Sequence, residues 1–309
     1  MTLYPKIEKN PPGKPRIRRT LLFVDIHDPE IVKSSLSSDT DLVMYNLEDG
    51  VPIDKKTEVR NNILNILELE RSTDSEIGVR VNCIGSGHEV DDLQTVLKSP
   101  KVEVLLIPKV ESPSDIRYIE NMIDLYGHPE TKDKIRIIAA IETALAMANI
   151  KEIAQSSPRI DTLMFAVEDY CISTETTRSP GFPELYYARS LVANTAHAYG
   201  LESLDMINLS PDCGKDFKEE CLQGYRMGFS GKQILYPEQS KIVFESFCPP
   251  PEIVNKAVGI IKDFRLKVSK GLESKLIEQK VAEIPYFVWS MRILRRAKIG
   301  GVDVESLLA

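Results

Sequence analysis

Acidic side chains stand where short apolar runs of this chain end. Glu48-Asp49 closes the run 41–47, Glu142 the run 135–141, and Glu168-Asp169 the run 162–166. Lys109 and Glu111 follow the run 104–108, and the run 78–82 carries Arg80 and Asn82. Carboxylates gathered at one rim repel one another and cost stability unless a cation or shared protons offset them. A hard divalent ion is the simplest offset: Mg²⁺ takes oxygen ligands, keeps some waters, and is held by one or two carboxylates plus the substrate. Glu142 and Asp169 suit that role, with Arg80 as a two-pronged clamp on a substrate carboxylate.

Plainer readings stand beside these. After a strand, Asp and Glu commonly cap the next helix or sit in its first turn. Asp49, followed by Gly50 and Pro52, fits a turn and cap well. Lys109 is open to a Schiff-base role or to a structural salt bridge with rim carboxylates. Four acidic sites on successive runs favour the metal reading for the group. His27 and His88 follow different runs and form no H-x-x-H pair, so they read as solvated loop histidines. There is no G-x-S-x-G, and Gly85-Ser86-Gly87 is too short for a phosphate loop.

The elements that must position these groups form one repeating pattern. Runs at 20–25, 41–47, 78–82, 104–108, 135–141, 162–166, 204–209 and 232–235 are short and mainly apolar, as strands buried on both faces require. Helical stretches such as 54–69, 112–126 and 144–155 lie between them. Eight strands alternating with helices over ~250 residues match a closed (β/α)₈ TIM barrel, whose reactive groups project from the carboxyl ends of the strands. A doubly wound sheet would open with a Gly-rich phosphate loop, and Leu21-Leu22-Phe23-Val24-Asp25-Ile26-His27 has none.

The expected organisation is an N-terminal arm at 1–17, the barrel at 18–249 and a helical extension at 250–309. The arm is basic and Pro-rich and lacks the apolar stretch of a secretory signal. In the extension, Ile253, Ala257, Ile260, Phe264 and Val268 recur at helical spacing. A Lys/Gly/Ser-rich link separates this helix from a second one at about 283–296, which carries Trp289. Its apolar face must cover the chain's own barrel or a neighbouring subunit.

Composition narrows the class. The 309 residues have 42% hydrophobic and 28% charged content, enough for a large core without a disorder signal. A net charge of −7 argues against a nucleic-acid surface. No apolar run approaches the ~20 residues that cross a bilayer. Five scattered cysteines lack zinc-site spacing and fit a reducing compartment. A cytoplasmic location is the default, with a mitochondrial lumen left open.

Several short segments resemble the citrate lyase β-subunit-like branch of the HpcH/HpaI aldolase family. They are Arg18-Arg19-Thr20-Leu21-Leu22-Phe23-Val24, Asn46-Leu47-Glu48-Asp49-Gly50-Val51, Val79-Arg80-Val81-Asn82 and Pro108-Lys109-Val110-Glu111-Ser112. Others are Ile141-Glu142-Thr143-Ala144, Phe165-Ala166-Val167-Glu168-Asp169, Leu185-Tyr186-Tyr187-Ala188-Arg189 and Gly228-Phe229-Ser230-Gly231-Lys232-Gln233. The resemblance implies a phosphoenolpyruvate-type barrel that binds Mg²⁺ and assembles as a homo-oligomer, commonly a trimer. By position, Glu142 and Asp169 would be the metal ligands and Arg80 the carboxylate grip. Glu48 and Asp49 would order metal-bound water, and Arg19 and Lys109 would join the substrate-binding residues. Members cleave or form malyl-, citramalyl- or citryl-thioesters, and some hydrolyse the thioester.

The expected function is therefore a Mg²⁺-dependent carbon–carbon lyase that interconverts a short hydroxyacyl-CoA with a keto acid and an acyl-CoA. A thioesterase and a non-catalytic assembly subunit are the alternatives. Three positions depart from the family. Asp25-Ile26-His27 replaces a Pro-Gly-Asn turn, and Leu235-Tyr236-Pro237 replaces Ile-His-Pro. Glu283, in Ala282-Glu283-Ile284-Pro285, replaces a tail aspartate that reaches a neighbouring subunit's site in relatives. The first two touch loops that handle the acyl carrier and substrate tail. The third lengthens an acid/base side chain by one methylene, and a misplacement of ~1 Å matters to rate.

Overall fold

The computed structural model describes residues 18–269 and 283–309. The arm at 1–17 and the link at 270–282 lie outside them. Eight parallel strands close into a barrel in sequence order. They are β1 (Thr20–Asp25), β2 (Leu42–Asn46), β3 (Glu76–Arg80), β4 (Val104–Ile107), β5 (Arg136–Ile141), β6 (Ile160–Phe165), β7 (Glu202–Asp205) and β8 (Gly231–Ile234). The ring closes where Thr20 pairs with Lys232 and Leu22 with Ile234. This is the expected (β/α)₈ architecture.

Helices α1 (Pro29–Ser35), α2 (Lys56–Leu67), α3 (Glu89–Val96) and α4 (Pro113–Tyr126) follow the first four strands. Then α5 (Ala144–Ala148) and α6 (Ile150–Gln155) follow β5, and α7 (Val167–Ser173) and α8 (Tyr186–Tyr199) follow β6. Helix α9 (Lys215–Met227) follows β7, and α10 (Gln239–Phe247) follows β8. The stretch expected as one helix over 144–155 is two, broken at Asn149, whose side-chain amide donates to Glu111 O at 2.8 Å.

Two strand positions differ from expectation. β3 starts at Glu76, because Glu76 and Ile77 pair with Leu42 and Val43 behind a polar onset that hides the strand in the sequence. β7 runs from Glu202 to Asp205 and does not continue to 209. Beyond it, side chains take the backbone acceptors that a ladder would use: Lys232 Nζ binds Met206 O at 2.5 Å, and Gln239 Nε2 binds Ser210 O at 3.2 Å.

The barrel interior is apolar and layered. Leu21 and Phe23 of β1, Leu42 and Met44 of β2, Val104 and Leu106 of β4, and Ile138 and Ala140 of β5 are buried together. Side chains alternate along a strand. The next inward positions towards the carboxyl ends are therefore Asp25, Asn46, Arg80 and Glu142, where the lining turns polar. Register places three of these side by side, with Asp25 opposite Asn46 and Asn46 opposite Arg80. Below Arg80, a Cβ at Gly78 would lie 2.5 Å from Met44 Cε and 2.7 Å from Val104 Cγ1, so any side chain there would have to displace both from the lumen.

Ion pairs close the amino-terminal end. Buried Arg18 donates to both oxygens of Glu76, at 2.6 and 2.9 Å, to Thr162 Oγ1 at 2.6 Å, and to Asp161.

The chain divides into two compact units, one ending at Val243 and one from Phe244 to Ala309. The second contains α11 (Pro251–Ser269), α12 (Glu283–Ile299) and α13 (Val304–Leu308). Val254, Ala257, Val258 and Ile261 pack with Leu294, Ala297 and Val304. The Phe264 and Phe287 rings stand 4.3 Å apart, and Lys256 Nζ lies 5.7 Å from the Trp289 ring. No helix among the described residues is long and apolar enough to cross a membrane.

Candidate active site

The turn after β2 is built by its own side chains. Asn46 Oδ1 accepts from Glu48 N–H at 3.1 Å, and its amide donates to Asp49 O. Val51 N–H closes the turn on Glu48 O at 3.1 Å, with Gly50 at φ 91°, a conformation glycine adopts without a Cβ penalty. This folds Glu48 inward, buried, and leaves Asp49 at the mouth.

Glu48 is held from three sides. Lys109 Nζ lies 2.9 Å from Oε1, while Arg80 Nη2 and the Asp49 N–H (2.8 Å) reach Oε2. Arg80 Nη2 also lies 3.1 Å from Asp49 Oδ2, and the guanidinium carbon stands 5.5 Å from the Phe23 ring centroid. The Arg80 Nε is buried and makes no hydrogen bond among the described residues. Burial works to raise the Asp49 pKa, but its interaction with Glu48 and the charges of Arg80 and Lys109 outweigh it, so Asp49 titrates below an ordinary aspartate.

Lys109 joins this half of the site to the other. Its ammonium stands 3.6 Å from Asp49 Oδ2 and 3.3 Å from Asp169 Oδ2, and its backbone N–H donates to Glu142 Oε1. It does so at φ 49°, which few non-glycine residues adopt. Burial opposes the charge on Lys109, but Glu48, Glu142 and Asp49 more than compensate and hold its pKa well above that of a free lysine. A Schiff base needs a neutral amine, so this environment disfavours that role.

Glu142 is fully buried one residue past β5. Burial, with a contribution from the Asp169 charge, pushes its pKa up to about 7, against the lowering effects of Arg80 and Lys109. Capping does not explain it: Thr143 caps α5 through Ala146 N–H at 3.0 Å, and Asp28 and Ser112 serve α1 and α4. Asp169 sits in the first turn of α7, where the helix end also favours a negative charge. Its neighbour Glu168 turns away to Arg178, 2.7 Å from Nη1.

Arg80, Glu48, Asp49, Lys109, Glu142 and Asp169 thus come together at the carboxyl ends of β2 to β6. Arg19, expected among the substrate-binding residues, does not join them. It precedes β1 at the opposite end of the barrel, where its guanidinium chelates Asp41 at 2.8 and 2.9 Å. Arg19 falls within a family-like segment, but a residue before a strand lies at the barrel's floor. Glu283 begins α12, and its side chain lies outside the described residues.

The residues that fit Mg²⁺ are the hard oxygen donors of Glu142 and Asp169. Three carboxylates here contact one guanidinium and one ammonium, and Glu142 adds a fourth through the Lys109 backbone N–H, an excess of two negative charges when all are ionised. A divalent cation matches that excess. Among the described residues no three His, Cys, Asp or Glu side chains converge on one metal position. Two carboxylates completed by water and substrate are the usual form of a Mg²⁺ site.

Two features of the mouth differ from what the sequence suggests. His27 Nδ1 lies 2.5 Å from Asp25 Oδ1 at the end of β1. Lys56, at the start of α2, reaches beneath Glu48 to the carbonyls of Leu47 and Glu48 at 2.9 and 2.8 Å. The i, i+2 spacing of Asp25 and His27 was a usable signal; Lys56 offered none.

Residues 19–237 match the family model of HpcH/HpaI aldolase/citrate lyase. The chain is 29% identical over 278 residues to the human mitochondrial citramalyl-CoA lyase, covering 87% of this chain and 82% of that one. It is 28% identical over 286 residues to the citrate lyase subunit beta of Leuconostoc mesenteroides subsp. cremoris, covering 91% and 94%. In structure it is similar to the Mycobacterium tuberculosis CitE protein in complex with magnesium, acetoacetate and coenzyme A. That match has a TM-score of 0.68 at 21% identity and covers 91% of this chain and 98% of that one.

Proposed function

The chain belongs to the HpcH/HpaI aldolase/citrate lyase family, and from that premise we propose that it is a Mg²⁺-dependent carbon–carbon lyase acting on a short hydroxyacyl-CoA. The substrate class is the malyl-, citramalyl- or citryl-thioester, and the products are a keto acid and an acyl-CoA. The excess of negative charge among Glu48, Asp49, Glu142, Asp169, Arg80 and Lys109, which reaches two when Glu142 is ionised, carries this reading. The names of the citramalyl-CoA lyase and citrate lyase relatives support it.

Glu142 and Asp169 hold the ion. When bound, Mg²⁺ polarises the keto or hydroxyl oxygen of the substrate as a Lewis acid. Arg80 binds the substrate carboxylate, with its unpaired buried Nε as one available donor. Lys109 holds Glu48 and Asp169 in place and favours the anionic end of the substrate.

In the cleavage direction the substrate hydroxyl loses its proton, the carbon–carbon bond breaks, and the electron pair passes to the thioester as an enolate. The enolate carbon then takes up one proton, so the reaction is neutral in protons. Asp49, ionised and at the mouth, accepts or relays the proton through water, and Glu48 fixes that water from below. Glu283 is the proposed tail acid.

Product analysis tests the reading. With citramalyl-CoA and Mg²⁺, the expected products are pyruvate and acetyl-CoA in equal amounts. Free citramalate and CoA would instead make the protein a thioesterase, and no turnover of malyl-, citramalyl- or citryl-CoA would remove the lyase reading.

A further inference from the structure

A buried hydrogen-bond network runs from the outer helices to the floor of the Glu48 turn. Arg60 Nε of α2 donates to Asp92 Oδ1 of α3 at 2.6 Å. Asp92 Oδ2 accepts from both the backbone and side-chain N–H groups of Asn82, at 2.9 and 2.6 Å. The Asn82 amide also donates to Leu47 O at 2.9 Å, and Asn82 Oδ1 accepts from Lys56 Nζ at 2.7 Å. Arg60, Asn82 and Asp92 are all buried.

The Lys56 ammonium ends this chain of contacts under the site. Three oxygens converge on it: Leu47 O at 2.9 Å, Glu48 O at 2.8 Å and Asn82 Oδ1 at 2.7 Å. An ammonium has three donors and no acceptor, so three acceptors saturate it. A neutral amide has two donors and would leave one of these three contacts unmade. Because Glu48 O also accepts from Val51 N–H, the ammonium and the turn share one carbonyl. The carboxylate of the same Glu48 meets Arg80 and Lys109 on the lumen side.

We infer that Lys56 is a positioning residue, which fixes the backbone at Leu47 and Glu48 so that the Glu48 carboxylate stays aimed into the barrel mouth. Its catalytic consequence rests on the proposed lyase reading; its effect on the turn does not. Outer partners of this kind typically change activity 10–100-fold when removed.

The test uses the full-length protein with Lys56→Met, which keeps most of the side-chain volume, and Lys56→Ala, which leaves room for an added amine. Hydrogen exchange over residues 46–51 should accelerate ~10-fold or more in both variants, with strand 104–107 unchanged. With citramalyl-CoA and Mg²⁺, kcat should fall ~10–100-fold while KM and the Mg²⁺ half-saturation concentration stay within ~2-fold. Methylammonium should restore both protection and kcat in Lys56→Ala and leave Lys56→Met unaffected.

Should either variant fail to fold, Lys56→Gln supplies two donors without the charge, and it should give an intermediate loss. Unchanged exchange over 46–51 in Lys56→Met overturns the inference, as does accelerated exchange with wild-type kcat. If the wild type cleaves no acyl-CoA but 46–51 still loosens on substitution, the positioning of Glu48 stands and the lyase reading alone fails.

Discussion

The backbone N–H of Lys109 donates to Glu142 Oε1, while the Lys109 ammonium stands 3.3 Å from Asp169. One residue thus orders both candidate metal ligands, at φ 49°. Non-glycine residues in this region carry about 1–3 kcal/mol of strain, and such positions cluster at functional sites.

Replacing Lys109 with Met keeps the backbone hydrogen bond and removes the charge, so the negative excess grows by one. We expect kcat/KM to fall at least ~10-fold. We also expect Mg²⁺ to raise the thermal midpoint more in Lys109→Met than in the wild type. Equal shifts would show that Lys109 does not share the carboxylates with the ion.

Glu142 gives a pH signature in the metal-free protein. Its carboxyl is pushed up to about 7 by burial, against an ordinary value of 4.5. A raised folded pKa contributes stability below pH 4.5 that is lost as pH rises through about 7. The loss has an upper bound of about 3 kcal/mol. In Glu142→Gln this dependence should disappear, so metal-free Glu142→Gln should gain on the wild type between pH 5 and pH 8 in urea denaturation. Its Mg²⁺-dependent activity should fall by ~100-fold or more.

Arg80→Lys keeps the charge but loses the planar fork. The expected result is a 10–100-fold rise in KM for the carboxylate-bearing substrate, because an ammonium cannot make the paired contact. Steady-state kinetics at saturating Mg²⁺ measures this. An unchanged KM would remove Arg80 from substrate binding.

Arg189 and Asp205 form a fully buried pair at 2.6 and 3.0 Å, with Gln223 on the remaining side. Arg189→Met leaves Asp205 buried without its partner and should destabilise the protein by about 3–5 kcal/mol. Arg189→Met with Asp205→Leu should recover part of that loss. Denaturation midpoints of the two variants decide the point.

Much of this arrangement was legible in the residues. Apolar runs ending in acids located the barrel and placed Glu48, Asp49, Glu142 and Asp169 at one rim, because strand ends in a closed parallel barrel share a face. Three things were not legible. β3 begins with polar Glu76, whose burial comes from its pairing with Arg18 and not from its own type. Arg19 sits in a motif that reads like a site residue, yet it lies before its strand and so at the barrel's floor. Lys56 is eight positions from Glu48 and follows another lysine, and only the turn of the chain between them brings its ammonium under the site.

As a lyase site, this charged mouth should take Mg²⁺ and a keto acid together. Calorimetric titration of pyruvate into the wild type and Asp169→Ala, each with and without Mg²⁺, tests it most directly. Binding is expected in the wild type only when Mg²⁺ is present, and none in Asp169→Ala. Pyruvate binding that needs no Mg²⁺, or that survives in Asp169→Ala, would contradict it.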